Sequence, residues 1–155
     1  LTKWEGGRMP TPRPVSMQRI RGAFDSLHMP FQEVGSGLWQ QVQATHVVCG
    51  TVEGGKILCF KGTSTRTYTA DEDLVQLGHF VTMSNRNRAF PKAYIEAFET
   101  PGKYTVGAET SRLITSGLSE AQFNDFLEHA FLVLTSFFQE FEGSAIAQAG
   151  VRDDD

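Results

Sequence analysis

Ser119–Phe141 reads SEAQFNDFLEHAFLVLTSFFQEF, and its spacing decides the fold. Phe123, Phe126, Leu127, Ala130, Phe131, Leu134, Phe137, Phe138 and Phe141 recur every three or four residues, so a helix gathers them on one broad stripe. Its start is written in capping chemistry: Ser119 can accept from the amide of Gln122, whose side chain can reach back to the amide of Ser119. Leu118 and Phe123 stand at the positions of a hydrophobic staple. Six of the chain's twelve phenylalanines lie on this helix, so a second layer must cover it. The rest of the chain reads as the sheet that does so.

Upstream of that helix, Ala93–Glu99 and Tyr104–Ile114 alternate as strands about a Pro101-Gly102 turn. If Glu99 opposes Tyr104, then Ala93, Ile95 and Ala97 share a face with Val106, Ala108 and Thr110. Thr45–Val52 and Lys56–Lys61 form a hairpin about Glu53-Gly54-Gly55. Phe31–Val34 and Leu38–Gln43 are shorter strands about a Gly35-Ser36-Gly37 turn, and Gly62–Tyr68 reads as a polar loop. A first helix runs from Ser16 to Leu27, stopped by Met29-Pro30. A second opens with a Thr69/Glu72 capping box, runs to about Ser84, and ends with Asn85 in the left-handed conformation. The fold class is α+β: an antiparallel sheet with helices packed on it, in the order α-β-β-β-α-β-β-α. Residues 1–14 read as a flexible tail, 15–142 as a single domain and 143–155 as a disordered tail.

With 155 residues, 40% hydrophobic and 21% charged, the chain is an ordinary globular length and composition. A net charge of −4 without a long basic stripe points away from nucleic acid. No apolar run spans a membrane, and Leu1–Pro14 has no apolar core of a signal peptide, so the expected location is the cytoplasm. Met9 offers a natural start.

Reactive constellations are absent from the pattern. His28, His46, His79 and His129 lack metal-ligand spacing, so neither metal nor cofactor is expected. Cys49 and Cys59 read as structural thiols; an even loop count puts them on opposite strand faces, an odd one directly opposite each other. Glu96 and Glu109 fall diagonally on one face in the register above, a spacing that acid–base pairs use, though a solvated face flanked by Lys92 and Tyr94 explains them as well. The glycine pairs join strand to strand, unlike phosphate loops. The phenylalanine stripe, by contrast, is wider than one sheet face covers, which marks Phe131, Phe137, Phe138 and Phe141 as a dimer or partner surface.

Asn85, Phe90, Lys92, Ala93 and Tyr94, followed by Gly117, Leu118 and Ser119, resemble the YbjN family of bacterial proteins, described as sensory transduction regulators. The family pattern has paired asparagines at a helix end, a Phe, a basic-Ala-Tyr strand entry and a Gly-Leu-Ser/Thr helix start. This sequence departs from it at Thr82, where the first asparagine would fall. Each matching residue also has a purely structural use as a helix end, a strand entry or a cap. The resemblance implies a fold similar to type III secretion chaperones and a homodimeric, non-enzymatic, chaperone-like or regulatory role toward a protein client. A small-molecule-binding regulatory domain is the alternative.

Overall fold

In a computed structural model that describes residues 11–35 and 37–152, the α+β architecture is present. Its elements are α1 (Met17–Ser26), β1 (Gln32–Val34), β2 (Gly37–Val42), β3 (Thr45–Val52), β4 (Ile57–Ser64) and β5 (Arg66–Thr67). There follow α2 (Asp71–Asn87), β6 (Lys92–Ala97), β7 (Tyr104–Leu113), α3 (Glu120–Glu142), α4 (Ala145–Ala149) and β8 (Val151–Arg152). Six strands form one antiparallel sheet in the order β1-β2-β3-β4-β7-β6, and β5 pairs with β8 in a second, two-stranded one. After β5 the chain crosses through α2 to the far edge, lays down β6, and returns with β7 beside β4.

α3 starts as its sequence dictates. Gln122 N donates to Ser119 Oγ at 3.2 Å, and Ser119 N donates to Gln122 Oε1 at 2.9 Å. The α3 stripe then meets the sheet and both long helices. Phe60 of β4 stacks on Phe24 of α1 at 6.0 Å and takes Phe131 edge-on at 4.9 Å. Phe80 of α2 meets Phe137 at 5.8 Å and Phe141 at 5.3 Å. These contacts lie on the sheet face that carries Phe60, so the three helices share that side. Each ring taken wholly out of water there contributes roughly 1.5–3 kcal/mol.

Four expectations are corrected. Gly62–Tyr68 is not a loop: Gly62–Ser64 extend β4 and Arg66–Thr67 form β5, because Thr105 Oγ1 reaches the carbonyls of Ser64 and Arg66 at 2.9 and 2.6 Å. α2 is capped at Ala70 without a side-chain bond, and Asp71, Glu72 and Asp73 oppose its dipole instead of a Thr69 box. It also continues through Asn85 to Asn87. In the β6–β7 hairpin Ala97, not Glu99, opposes Tyr104, since Phe98 N donates to Lys103 O and sets the four-residue turn one residue earlier on each strand.

The expected tails are also tied down where they are described. Residues 1–10 and 153–155 lie outside the described residues. Arg13 and Leu118 exchange backbone hydrogen bonds at 3.0 and 2.9 Å. The C-terminal stretch forms α4, with Ser144 accepting from Ala147 N, and Tyr68 Oη donates to Ile146 O at 2.9 Å.

Candidate functional site

Antiparallel strands send alternate side chains to opposite faces, and the helices occupy only one of them. Among the described residues no helix packs on the other. Reading the register across that open face, Val52 pairs with Ile57 and Ile57 with Leu113, giving one apolar row over β3, β4 and β7. Val52 is 47% exposed and Leu113 70%. The adjoining row is small: Gly50, Cys59 and Ser111.

Farther along the same face lies a charged network. Lys61 Nζ sits 2.5 Å from Glu96 Oε1, and Thr63 Oγ1 donates to Glu96 Oε2 at 3.3 Å. Lys92 Nζ and Tyr94 Oη both donate to Glu109, each at 3.3 Å. The Tyr94 ring lies over Gly107, where an added Cβ would come within 2.7 Å of it. Lys61 and Lys92 both approach that ring, at 5.6 and 5.7 Å from its centroid. Burial, and then the nearby Glu109 and Glu96 carboxylates, push the Tyr94 hydroxyl well above its ordinary value. Glu96 and Glu109 are thus not the diagonal pair that the expected register suggested. Glu96 opposes Thr105 while Glu109 opposes Lys92, with Tyr94 and Gly107 between them, and each carboxylate is held by its own lysine.

The expected phenylalanine surface is corrected in three of its four members. Phe137 and Phe141 are wholly buried and Phe138 is 5% exposed. The stripe is wide because α3 is covered from two directions, by the sheet and by α2, rather than by one sheet face. Phe131 is half-buried and, with Phe138, Leu134, Val42 and Ala44, lines a small groove between the β2–β3 turn and α3, of about 70 Å³. Gln43 and Gln139 stand at its rim. The large side chain that α3 does leave open is Leu132, 68% exposed.

The motif positions take structural roles. Asn85, expected as a left-handed helix end, is helical; its Oδ1 accepts from Ala93 N and its Nδ2 donates to Ala93 O, both at 2.9 Å. Phe90 lies outside the core: it is 51% exposed and rests edge-on against His129. Gly117 has φ +72°, and a Cβ there would meet the Arg13 carbonyl, so the Arg13–Leu118 bridge requires glycine. Thr82 is exposed on α2. Cys49 pairs with Phe60 and Cys59 with Gly50, which puts the thiols on opposite faces; burial pushes the Cys49 thiol far up. His46 packs on Trp39. Among the described residues no three His, Cys, Asp or Glu side chains cluster as metal ligands, and no helix is long and apolar enough to cross a membrane.

No family model matches this sequence, and no curated protein matches it significantly. Among solved structures it is similar to the crystal structure of YbjN from E. coli, a proposed transcription regulator, with a TM-score of 0.72 at 14% identity. The match covers 90% of this chain and 98% of that one. The likeness shows the fold: a YbjN-like α+β sheet with helices on one side.

Proposed function

We propose that this chain is a non-enzymatic protein-interaction module with a regulatory or chaperone-like role, working as a cytoplasmic homodimer. The observation that carries the reading is the open sheet face, where Val52, Ile57 and Leu113 form an apolar row that no described helix covers. Rows of this kind are where proteins bind one another. The fold likeness to a proposed transcription regulator supports the regulatory half of the reading. The acidic sites that catalysis would need are each occupied by a lysine partner, which also favours recognition over chemistry. Crosslinking capture from the cell that makes this chain tests the proposal. Recovery of a second protein that is lost with Leu113→Glu supports it; recovery of no protein overturns it.

A second reading rests on the groove between the β2–β3 turn and α3. Its apolar wall of Val42, Phe131, Leu134 and Phe138 beneath a Gln43 and Gln139 rim has the composition of a small-molecule pocket. A metabolite that raises the melting temperature, and no longer does so in Leu134→Trp, favours this reading over the first.

A further inference from the structure

We infer that the groove between the β2–β3 turn and α3 binds a short, neutral acyl chain, with Gln40 Nε2 donating to its carbonyl oxygen. This rests on the small-molecule reading above and gives that reading a ligand class.

The groove exists because α3 commits its rings to β4. Phe131 stands edge-on to Phe60 at 4.9 Å, and Phe138 presses on Gly62. Beside them Val42 of β2 and Val47 of β3 line a slot that α3 does not close, and Val42 stays 38% exposed. The slot holds about 70 Å³, under half of the roughly 150 Å³ with which an apolar cavity in another protein takes benzene. A whole ring is too large for it, whereas the end of an unbranched chain fits.

Gln40 supplies the polar contact. Side chains alternate along β2, so Leu38, Gln40 and Val42 all face the helices, and Gln40 pairs with Val47 of β3. It thus stands beside two groove residues, Val42 on its own strand and Val47 across from it. Gln40 is 8% exposed, and its Nε2 is buried with no hydrogen-bond partner among the described residues. The side chains of Leu38, Val42 and Val47 are hydrocarbon and offer it no acceptor. A buried donor without an acceptor is destabilising, and a ligand oxygen that meets it recovers that loss.

Charge decides what kind of acceptor fits. Among the described residues that line the groove there is no lysine or arginine, and its one carboxylate, Glu142, is already gripped by Arg66. A ligand carboxylate would lose its water there and gain no cation, whereas a ketone, ester, amide or thioester oxygen costs far less to bury. The apolar side chains then cover the alkyl end, Gln40 takes the carbonyl, and Gln43 and Gln139 at the rim meet whatever polar group follows it.

Two probes that carry the same propyl group on a carbonyl carbon test this on the full chain: methyl propyl ketone, which is neutral, and butyrate, which is charged at neutral pH. Each is titrated while the NMR signals of the Gln40 side-chain amide and of the Val42 and Leu134 methyls are followed. The ketone is expected to move all three together, and butyrate to bind at least about tenfold more weakly. Gln40→Leu keeps the bulk and removes the donor, so it is expected to weaken the ketone about tenfold without lowering the melting temperature. Leu134→Trp is expected to abolish binding of both. A groove that answers to neither probe overturns the inference and the small-molecule reading together. Butyrate binding as tightly as the ketone, or ketone binding that Gln40→Leu leaves unchanged, overturns the inference alone. If Gln40→Leu fails to fold, the two probes on the native chain still decide the matter.

Discussion

Arg66 grips Glu142 from across the fold: Nε lies 2.9 and 3.0 Å from the two carboxylate oxygens, and Nη2 lies 2.8 Å from Oε2. The guanidinium side chain is 7% exposed and the carboxylate 25%. This bidentate pair ties β5 to the last turn of α3, and Arg152 of β8 approaches the same carboxylate at 3.8 Å. Removing one partner strands the other in a largely dry site. Arg66→Ala or Glu142→Ala is therefore expected to cost about 3 kcal/mol. Arg13→Ala, which breaks a pair more than 60% exposed on both sides, is expected to cost less than about 1 kcal/mol. Urea unfolding midpoints of the three variants check the contrast.

Asn85 acts as a one-residue strand at the β6 edge. Its amide exchanges two hydrogen bonds with the backbone of Ala93, as a neighbouring strand would. Asn85→Ala leaves both groups of Ala93 to water and is expected to cost about 1 kcal/mol. Asn85→Asp keeps the acceptor but sets a carboxylate against the Ala93 carbonyl, so it is expected to be no better than the alanine. Hydrogen exchange of the Ala93 amide reads the local effect: both variants are expected to speed it, and unchanged protection would show that α2 alone covers this edge.

Asn85 marks where legibility in the sequence stops. A residue's own propensity and its neighbours within four positions are local, and they revealed the Ser119 capping box, the strand Thr45–Val52 and the α1 cap at Ser16. Asn85 bonds eight residues ahead, across a turn whose shape no propensity encodes. The β6–β7 register differs by two for the same reason, because the Phe98–Lys103 bond places the turn one residue earlier on each strand while leaving the alternation intact. The Gly- and Ala-rich residues after Phe141 lack a stripe of their own, yet they fold because Tyr68 donates to Ile146 O and β5 pairs with β8, Arg66 opposite Arg152 and Thr67 opposite Val151. The phenylalanine stripe was legible as core, but its width reflected a second covering helix. The open face could not be read at all, since alternation shows which residues point outward and never whether anything covers them.

Tyr68 gives the fold an alkaline limit. Its hydroxyl is buried and donates to Ile146 O, and burial, with Glu142 and Asp73 adding to it and Arg66 opposing, pushes it up to about 12 from an ordinary value near 10. The neutral form is thus favoured in the folded chain. Its stability is fully present below pH 10 and is lost as pH rises from there through about 12, because the unfolded chain releases the proton first. Cys49, also raised by burial, adds a loss of the same sign that begins near pH 9. Tyr68→Phe is expected to lose about 1 kcal/mol at neutral pH with its hydrogen bond, yet to lose less than the native chain between pH 10 and 12. Urea midpoints against pH for the two proteins check this, and parallel curves would contradict it.

Two glycines should respond to the same substitution with opposite signs. Gly22 lies inside α1, is exposed, and has nothing within 4 Å of the place a Cβ would take. Gly22→Ala removes backbone freedom from the unfolded chain at no steric cost, so it is expected to stabilise by about 0.5–1 kcal/mol. Gly62 sits in β4 with the Phe138 ring pressed against it, and an added Cβ would overlap Cε2 of that ring. Phe138 is itself held edge-on by Phe137 at 5.0 Å, so it cannot swing aside without moving the centre of the core. Gly62→Ala is expected to cost about 1–3 kcal/mol by overpacking. If Phe138→Leu is introduced as well, the smaller side chain should make room and recover part of that loss, a coupling that a double-mutant cycle measures. Additive effects would mean that the ring does not rest on the glycine.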